Sequence, residues 1–551
     1  MPLEALITGR IATLQGDAGF GWVEAIGIRD GRVAFAGSAV DLETRADPHT
    51  ARLELEPDEV AIPGLTDAHL HLAATALATR QLDLSTSPTL DDGLRRIGAA
   101  HRGALAGEPD AWLQGHGWDS DRWGGWPTAE LLEGVAPGRR IALWAHDHHA
   151  LWVSHAAMRT AGLSGATEDP SGGVVSRTSD GEPDGVLFET AARLVTVHIP
   201  FGSDADLASA LILVAQELVS LGIVAVHDPG PLAPDPELAY AFPAYAHLSD
   251  TGRLPVRVHA CLRDDALDTA LAGGLRSGDV LGSDPAGRAR VGWQKCFADG
   301  SMGSRTARLL EDLEVEPDRP LPADRRRGIW MTDPASLEDL VVRAAAGGIA
   351  TQIHAIGDAG VRVALDLLTP VAGRLPLMPR IEHVQLLHPD DRPRFAAARI
   401  AASVQPVHLG TDAATARRLW GDRAETRGFT WASLARTGAV LAFGTDAPVE
   451  PVDPWPGIAQ AVTRRDHRWP EGDPAFGPAE ALTLDRALRA ACVDAALSAG
   501  EVDRGRLAVG HRADVVVLPS AIFEDQSGAA SALATARPNL VLMDGRVVFE
   551  R

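Results

Sequence analysis

Six residues of this chain have the types and spacing needed to hold a metal and activate water. His69 and His71 are separated by one leucine, and His354, His383, Asp446 and Lys295 each fall near the end of a short apolar run. Lys295 is the only lysine: the 551 residues carry 51 Lys plus Arg, and all the others are arginine. Arginine stays protonated at any accessible pH, whereas lysine can be neutralised by its surroundings and then act as a nucleophile. Its setting, Val-Gly-Trp-Gln-Lys295-Cys-Phe-Ala-Asp-Gly, reads as a buried strand entering a turn, which suits a reactive amine better than a surface ion pair. Residues two apart on a strand face the same way, about 6–7 Å apart at Cα, so His69 and His71 can converge on one ion. Alone, such a pair is equally well a structural pair of core histidines. Three further strand-end ligands and a reactive lysine, arriving in succession, argue for a metal centre.

These residues need elements to position them. The middle of the chain alternates apolar runs with Ala/Leu/Arg-rich helical stretches, the pattern of a parallel sheet with crossover helices. Eight strands are expected, at 61–69, 222–228, 255–261, 291–298, 350–354, 381–384, 402–406 and 440–446, with helices such as 336–347 and 359–370 between them. Eight such units predict a (β/α)8 barrel, whose sites lie at the C-terminal ends of the strands. Residues 1–60 and 503–551 are both rich in short β segments, with hairpin signals at Asp30-Gly31 and Asp544-Gly545. Together they predict one small composite β-sandwich built from both termini, with the barrel at 61–502. The stretch 73–220 is too long for a crossover and holds six tryptophans, so it reads as a subdomain inserted after the first barrel strand.

Hydrophobic content of 45% and charged content of 23% fit a soluble globular protein. A net charge of −23 argues against nucleic acid or an anionic membrane as a partner. No apolar run approaches a membrane span, and the N-terminus lacks the basic start and apolar core of a secretory signal. Three widely spaced cysteines suggest reduced thiols and a cytoplasmic setting. Cys296 neighbours Lys295, but strand alternation turns it to the opposite face, where packing is its role.

The motifs IPGLTDAHLH, GHGWDSDRWGGWPTAELL, DPSGGVVSRTSDGEPDGVLFETA, QKCFADGSMGSRTA, IHAIGD, RIEHVQLLHPDD, SVQP and FGTDAPVEPVDPW occur in this order, followed by GRLAVGHRADVVVL and MDGRVV. The set spans nearly the whole chain and resembles the amidohydrolase superfamily, within it the amidohydrolase-3 group that includes N-substituted formamide deformylases. The resemblance implies a barrel with a composite β-sandwich, and a homodimer. It also implies two divalent metals, zinc suiting the ligands. His69 and His71 would bind one ion, and His354 and His383 the other. Lys295, carboxylated by CO2, would bridge them, while Asp446 would bind the first ion and handle protons. Two ions about 3.5–4 Å apart can deprotonate a shared water and polarise a carbonyl. The implied reaction is attack of the resulting hydroxide on the C–N amide of a small N-formyl or N-acyl amine with an apolar substituent.

Other residues are candidates for substrate contact. Trp118, in Gly-His-Gly-Trp, and Trp152 are expected either to wall the pocket or to fill the core of the insertion. His149 lies in Asp147-His148-His149-Ala150-Leu151-Trp152, a stretch similar to one that approaches the family's active site. Ser154 and His155 depart from that pattern, so no substrate preference carries over. His227, His259 and His408 could each donate to a substrate oxygen or serve as core histidines. Asp299 and Arg305 could orient substrate or simply pin the loop after the Lys295 strand. An ester or lactone hydrolase would use the same centre. A deaminase typically wants a carboxylate four residues after a strand-end histidine, which Asp358 satisfies relative to His354, but it does without the lysine. A catalytically dead binding protein would not be expected to keep all six ligands.

Overall fold

The computed structural model describes residues 3–551 apart from 46, 104–107, 109, 201–203, 231–240, 318–320 and 524–528. Eight parallel strands run in sequence order around a barrel: β1 (Leu65–Asp67), β2 (Ile223–Asp228), β3 (Arg257–Arg263), β4 (Ala289–Phe297), β5 (Thr351–Ala355), β6 (Arg380–His383), β7 (Ala401–Val404) and β8 (Leu441–Phe443). The ring closes where the Ala68 N–H donates to the Phe443 carbonyl at 2.8 Å. The strands are short, apolar and buried on both faces, as parallel strands under crossover helices must be. The two expected helices are present at Pro334–Ala346 and Asp358–Leu368. Asp333 caps the first by accepting from the Ala335 and Ser336 N–H groups, and Pro334 occupies its opening turn, where a missing N–H costs nothing.

The expected first strand, 61–69, divides in two. Glu59–Pro63 joins a sheet made from the two ends of the chain, and only Leu65–Asp67 enters the barrel. Gly64 is the joint. A Cβ there would lie 2.7 Å from Val224 Cγ2 and 3.1 Å from Asp514 Cβ, so only glycine lets the two layers meet. The terminal sheet pairs Glu59–Pro63 antiparallel with Val515–Pro519, which binds the C-terminal strands to the N-terminal ones. Both Asp-Gly pairs form two-residue hairpins. Asp30, Gly31, Asp544 and Gly545 all have positive φ, between 50° and 73°, as the type I′ turn requires.

Between β1 and β2 the chain builds a separate six-stranded sheet from segments between Leu82 and Glu189, before the helix Asp204–Ser220 returns it to the barrel. Its own apolar core gathers Trp118, Trp152, Leu143 and Phe188, with Trp123 and Trp126 packed against them. The strand Ile141–Ala145 ends at the turn Asp147–His149, which hangs over the barrel mouth.

The terminal sheet is fixed to the barrel by buried charge. Arg257, opening β3, reaches Asp514 at 2.9 Å and Asp544 at 2.7 Å, and Arg504 approaches Asp514 at 3.4 Å. Burial pushes the Asp514 carboxyl up, but Arg257 and Arg504 outweigh it and hold the group below the usual carboxylate range. A carboxylate with a depressed folded pKa stabilises fully above its unfolded pKa and loses that contribution as pH falls through the folded value. Asp514→Asn leaves guanidinium charge uncompensated and should cost on the order of 3 kcal/mol at neutral pH, measured by urea unfolding. The gap between wild type and variant should narrow on acidification.

Candidate metal centre

The six residues named from the sequence meet in one cavity of about 400 Å³ at the C-terminal end of the barrel, where His71, Lys295, His354, His383 and Asp446 form part of the wall. His69 is fully buried beneath it. Asp446 is the hub. Its Oδ1 lies 3.3 Å from His69 Nε2 and 3.4 Å from His71 Nε2, and its Oδ2 lies 3.9 Å from His383 Nδ1 and 3.5 Å from His408 Nε2. The rings of His354 and His383 have centroids 4.4 Å apart, and His354 Nε2 stands 3.2 Å from the Gly300 carbonyl. Donor atoms of His69, His71 and Asp446 all lie within 4.8 Å of one another, and so do those of His383, His408 and Asp446.

The backbone is bent to achieve this. His69 and His71 follow β1 rather than lying on it, yet their rings still converge, with centroids 5.4 Å apart. Asp446, three residues past β8, has φ of 61°, and His383, the last residue of β6, has φ of 73°. Each such conformation costs on the order of 1–3 kcal/mol and persists only where its surroundings enforce it. One enforcing contact is the Asp446 N–H, which donates to the His69 carbonyl at 2.7 Å.

Hydrogen bonds behind the histidines decide which nitrogen faces the cavity. His69 Nδ1 lies 2.6 Å from Glu382 Oε2, and His71 Nδ1 lies 2.7 Å from the Gly230 carbonyl. Both partners only accept, so each Nδ1 carries a proton, and Nε2, facing Asp446, is the nitrogen that a cation would take. Fixing the outer nitrogen by a carboxylate or carbonyl is the usual arrangement behind a metal-binding imidazole. His69 Nε2 and His383 Nδ1 are buried without a hydrogen-bond partner. Burial lowers the pKa of His71, His354 and His383, and neighbouring cationic groups reinforce this for His354 and His383. Burial raises Asp446, but the histidines around it, His69 first, reverse this and hold it well below the usual carboxylate range. Burial and the Lys295 charge lower the His69 pKa, but Glu382 and Asp446 outweigh them and raise it. Neutral His71, His354 and His383, with His69 held between two carboxylates around a buried anion, fit a site that a divalent cation would complete.

Lys295 is 1% exposed, with Nζ 4.8 Å from the centroid of the Phe297 ring. No carboxylate lies within ion-pair distance of it among the described residues. Burial draws its pKa down to about 8, against the partial opposition of Glu382 and Asp446. Cys296 turns away into the barrel's apolar core.

Other expected site residues lie elsewhere. Trp118 donates its indole N–H to the Leu143 carbonyl at 2.7 Å and Trp152 to the Thr128 carbonyl at 2.9 Å. Both belong to the core of the inserted sheet and neither walls this cavity. Asp299 accepts from the Ile356, Gly357 and Arg308 N–H groups, clamping the loop after β4 to the end of β5. Arg305 is spent on Asp121 at 2.7 Å and Glu316 at 3.1 Å. His227 lies deeper in the barrel, its Nδ1 2.8 Å from Arg380 Nη1. A guanidinium only donates, so His227 Nδ1 must accept and its proton sits on Nε2. That removes His227 as a ligand and weakens the grouping of His227, His259 and Glu501, which Arg257, Arg380 and Arg504 also face. His149 does reach the cavity, where Glu189 at 2.7 Å outweighs burial and lifts its pKa to about 9.

Glu382 was missed in the sequence, although it adjoins His383. It lies in the barrel interior, bridging His69 and Arg380 at 2.6 and 3.0 Å. Burial raises its carboxyl, but Arg380 and His69 hold it at about 2. His408, Gln385 and Glu450 also line the cavity.

The chain is similar to known proteins over nearly its whole length. The model of the amidohydrolase family matches residues 58–549. The Protein LONG AFTER FAR-RED 3 of Arabidopsis thaliana is 31% identical over 531 residues, covering 94% of this chain and 88% of its own. An N-substituted formamide deformylase of Arthrobacter pascens is 26% identical over 562 residues, covering 99% and 98%. An uncharacterized metal-dependent hydrolase from Pyrococcus horikoshii shares the fold with a TM-score of 0.71 at 23% identity, over 94% of this chain and 97% of that one. The match over residues 58–549, together with a relative 31% identical across most of both chains, shows that the chain belongs to the amidohydrolase family and is a hydrolytic enzyme.

Proposed function

We propose that the enzyme hydrolyses the C–N bond of an N-formyl or N-acyl amine bearing an apolar substituent. The observation that carries this is the convergence of His69, His71 and His383 on Asp446 at a partly apolar cavity that Lys295 and His354 also line. Its apolar lining includes Trp144, Phe297, Met302, Met331, Leu340 and Val449, which suits an apolar substituent. The N-substituted formamide deformylase among the relatives supports the formyl reading. Asp358, the carboxylate that a deaminase would use, accepts from the Leu310 N–H at 2.8 Å and does not line the cavity, which disfavours deamination. Three buried, unpaired thiols support a reducing, cytoplasmic setting, and no helix among the described residues is long and apolar enough to cross a membrane.

In this reading His69, His71 and Asp446 would hold one divalent ion and His354 and His383 a second, and Lys295, as a carbamate, would supply an oxygen donor to them. When bound, such a pair supplies a water acidic enough to react near neutral pH and polarises the carbonyl. With its pKa near 8, about one Lys295 amine in ten is neutral at pH 7, against roughly one in 2,500 for an ordinary lysine. The neutral amine adds to CO2, forming an N–C bond and releasing one proton, and becomes an anionic oxygen donor. Asp446 takes the proton of the attacking water and returns it to the leaving nitrogen as the C–N bond breaks. Glu382 and the Gly230 carbonyl keep the His69 and His71 lone pairs aimed inward throughout.

A panel of N-formyl, N-acetyl, carbamate and ester substrates, assayed with zinc and with manganese, tests the substrate class. Turnover of formamides or acyl amides is expected, and turnover of esters alone would refute amide cleavage. Lys295→Ala should lower kcat at least ~1,000-fold and deplete bound metal, with partial rescue by a short carboxylate such as acetate. Asp446→Asn should keep KM within about threefold while kcat falls ~100-fold or more.

A further inference from the structure

His408 opens the helix His408–Trp420 after β7, and its ring reaches the cavity beside Asp446. Its Nε2 lies 3.5 Å from Asp446 Oδ2, shielded from solvent and without a hydrogen-bond partner. The ring stacks against His383 with centroids 6.0 Å apart and planes 21° from parallel. By proximity alone it looks like another metal ligand.

The hydrogen bonds behind it give the opposite assignment. Gln385 Nε2 lies 2.9 Å from Asp412 Oδ2 and 3.3 Å from His408 Nδ1. A carboxylate only accepts, so the atom facing Asp412 must be the amide nitrogen. That nitrogen has two hydrogens, one for Asp412 and one for His408. His408 Nδ1 is therefore an acceptor, and the ring proton sits on Nε2. A protonated Nε2 has no lone pair for a cation. It is a donor aimed at the cavity, unspent and buried, and such groups call for an explanation. His69 and His71 are wired the other way: Nδ1 donates, so the nitrogen facing the cavity is the one that can be freed for a cation.

We infer that His408 is a catalytic hydrogen-bond donor to the substrate carbonyl oxygen, and that Gln385 and Asp412 are positioning residues that fix its tautomer. The inference rests on the hydrolytic reading above and holds for an amide or an ester. As the water oxygen bonds to the carbonyl carbon, the C=O π pair moves onto the oxygen, and the Nε2–H bond to that oxygen strengthens. The imidazole keeps its proton. The electron pair then returns to re-form C=O while the C–N bond breaks, and Asp446 supplies the proton that leaves with the amine. A preorganised donor of this kind is worth about 100–1,000-fold in kcat.

The test uses zinc-loaded holoenzyme. His408→Ala should lower kcat ~100-fold with KM within about threefold and with metal per chain equal to wild type. His408→Asn, which keeps an N–H donor and guards against a folding defect in the alanine variant, should recover about tenfold of that loss. In a nitrogen-15 correlation spectrum of histidine-labelled wild type, the His408 signals should show the proton on Nε2. Gln385→Leu should mix the two tautomers and lower kcat about tenfold. Loss of metal in proportion to activity in both His408 variants would make His408 a ligand and overturn the inference. So would kcat within twofold of wild type in His408→Ala, or a proton on Nδ1 in wild type. If only esters are turned over, the amide reading falls while His408 is judged on ester kinetics, which pass through the same oxyanion.

Discussion

One buried anion organises the mouth of this barrel. Asp446 is 5% exposed and strongly ionised, and a carboxylate taken out of water must be matched by partners or by a cation. Four histidines from three parts of the fold surround it at 3.3–3.9 Å: His69 and His71 after β1, His383 at the end of β6 and His408 after β7. Their convergence fixes much of what surrounds them. It accounts for the left-handed backbone at Asp446 and His383, for the tie from Asp446 N–H to the His69 carbonyl, and for the carboxylate and carbonyl that orient the outer nitrogens.

The barrel interior below the mouth carries a second set of charges with a different task. Arg380 donates to Glu382, to Gln352, to the Ala68 carbonyl and to His227, binding β1, β2, β5 and β6 through one guanidinium. It lies 4.0 Å from the centroid of the Trp293 ring. This assembly keeps Glu382 ionised and so keeps His69 in one tautomer. It also contributes to the field at Lys295, where burial favours the neutral amine while Glu382 and Asp446 partly restrain it. The mouth offers lone pairs to a cation, and the interior holds the rings that carry them.

Much of this arrangement was legible in the sequence. The Asp-Gly hairpins, the barrel helices and most barrel strands follow from local turn chemistry and apolar periodicity, which tertiary contacts here reinforce. Strand-end placement was enough to name His69, His71, Lys295, His354, His383 and Asp446. The first strand was misjudged because Gly64 breaks a continuous apolar run at a point that only the contact with Val224 explains. Glu382 was hidden because alternation sets neighbouring residues on opposite faces, yet the positive φ of His383 brings both towards the centre. Trp118 and Trp152 turned inward because one indole found a carbonyl on the inserted sheet and the other the Thr128 carbonyl beside it, partners with no signature in the chain. His408 and Asp412 do sit one helical turn apart, a spacing that puts them on one side, but the glutamine joining them comes from another segment.

The most direct test of the central claim is an anomalous-difference map at the zinc edge, from crystals of active enzyme grown with zinc and bicarbonate. The account predicts two peaks, one among His69, His71 and Asp446 and one beside His354 and His383, joined by continuous density extending from Lys295 Nζ. Active crystals with no peak beside Asp446 and an unmodified Lys295 would contradict it.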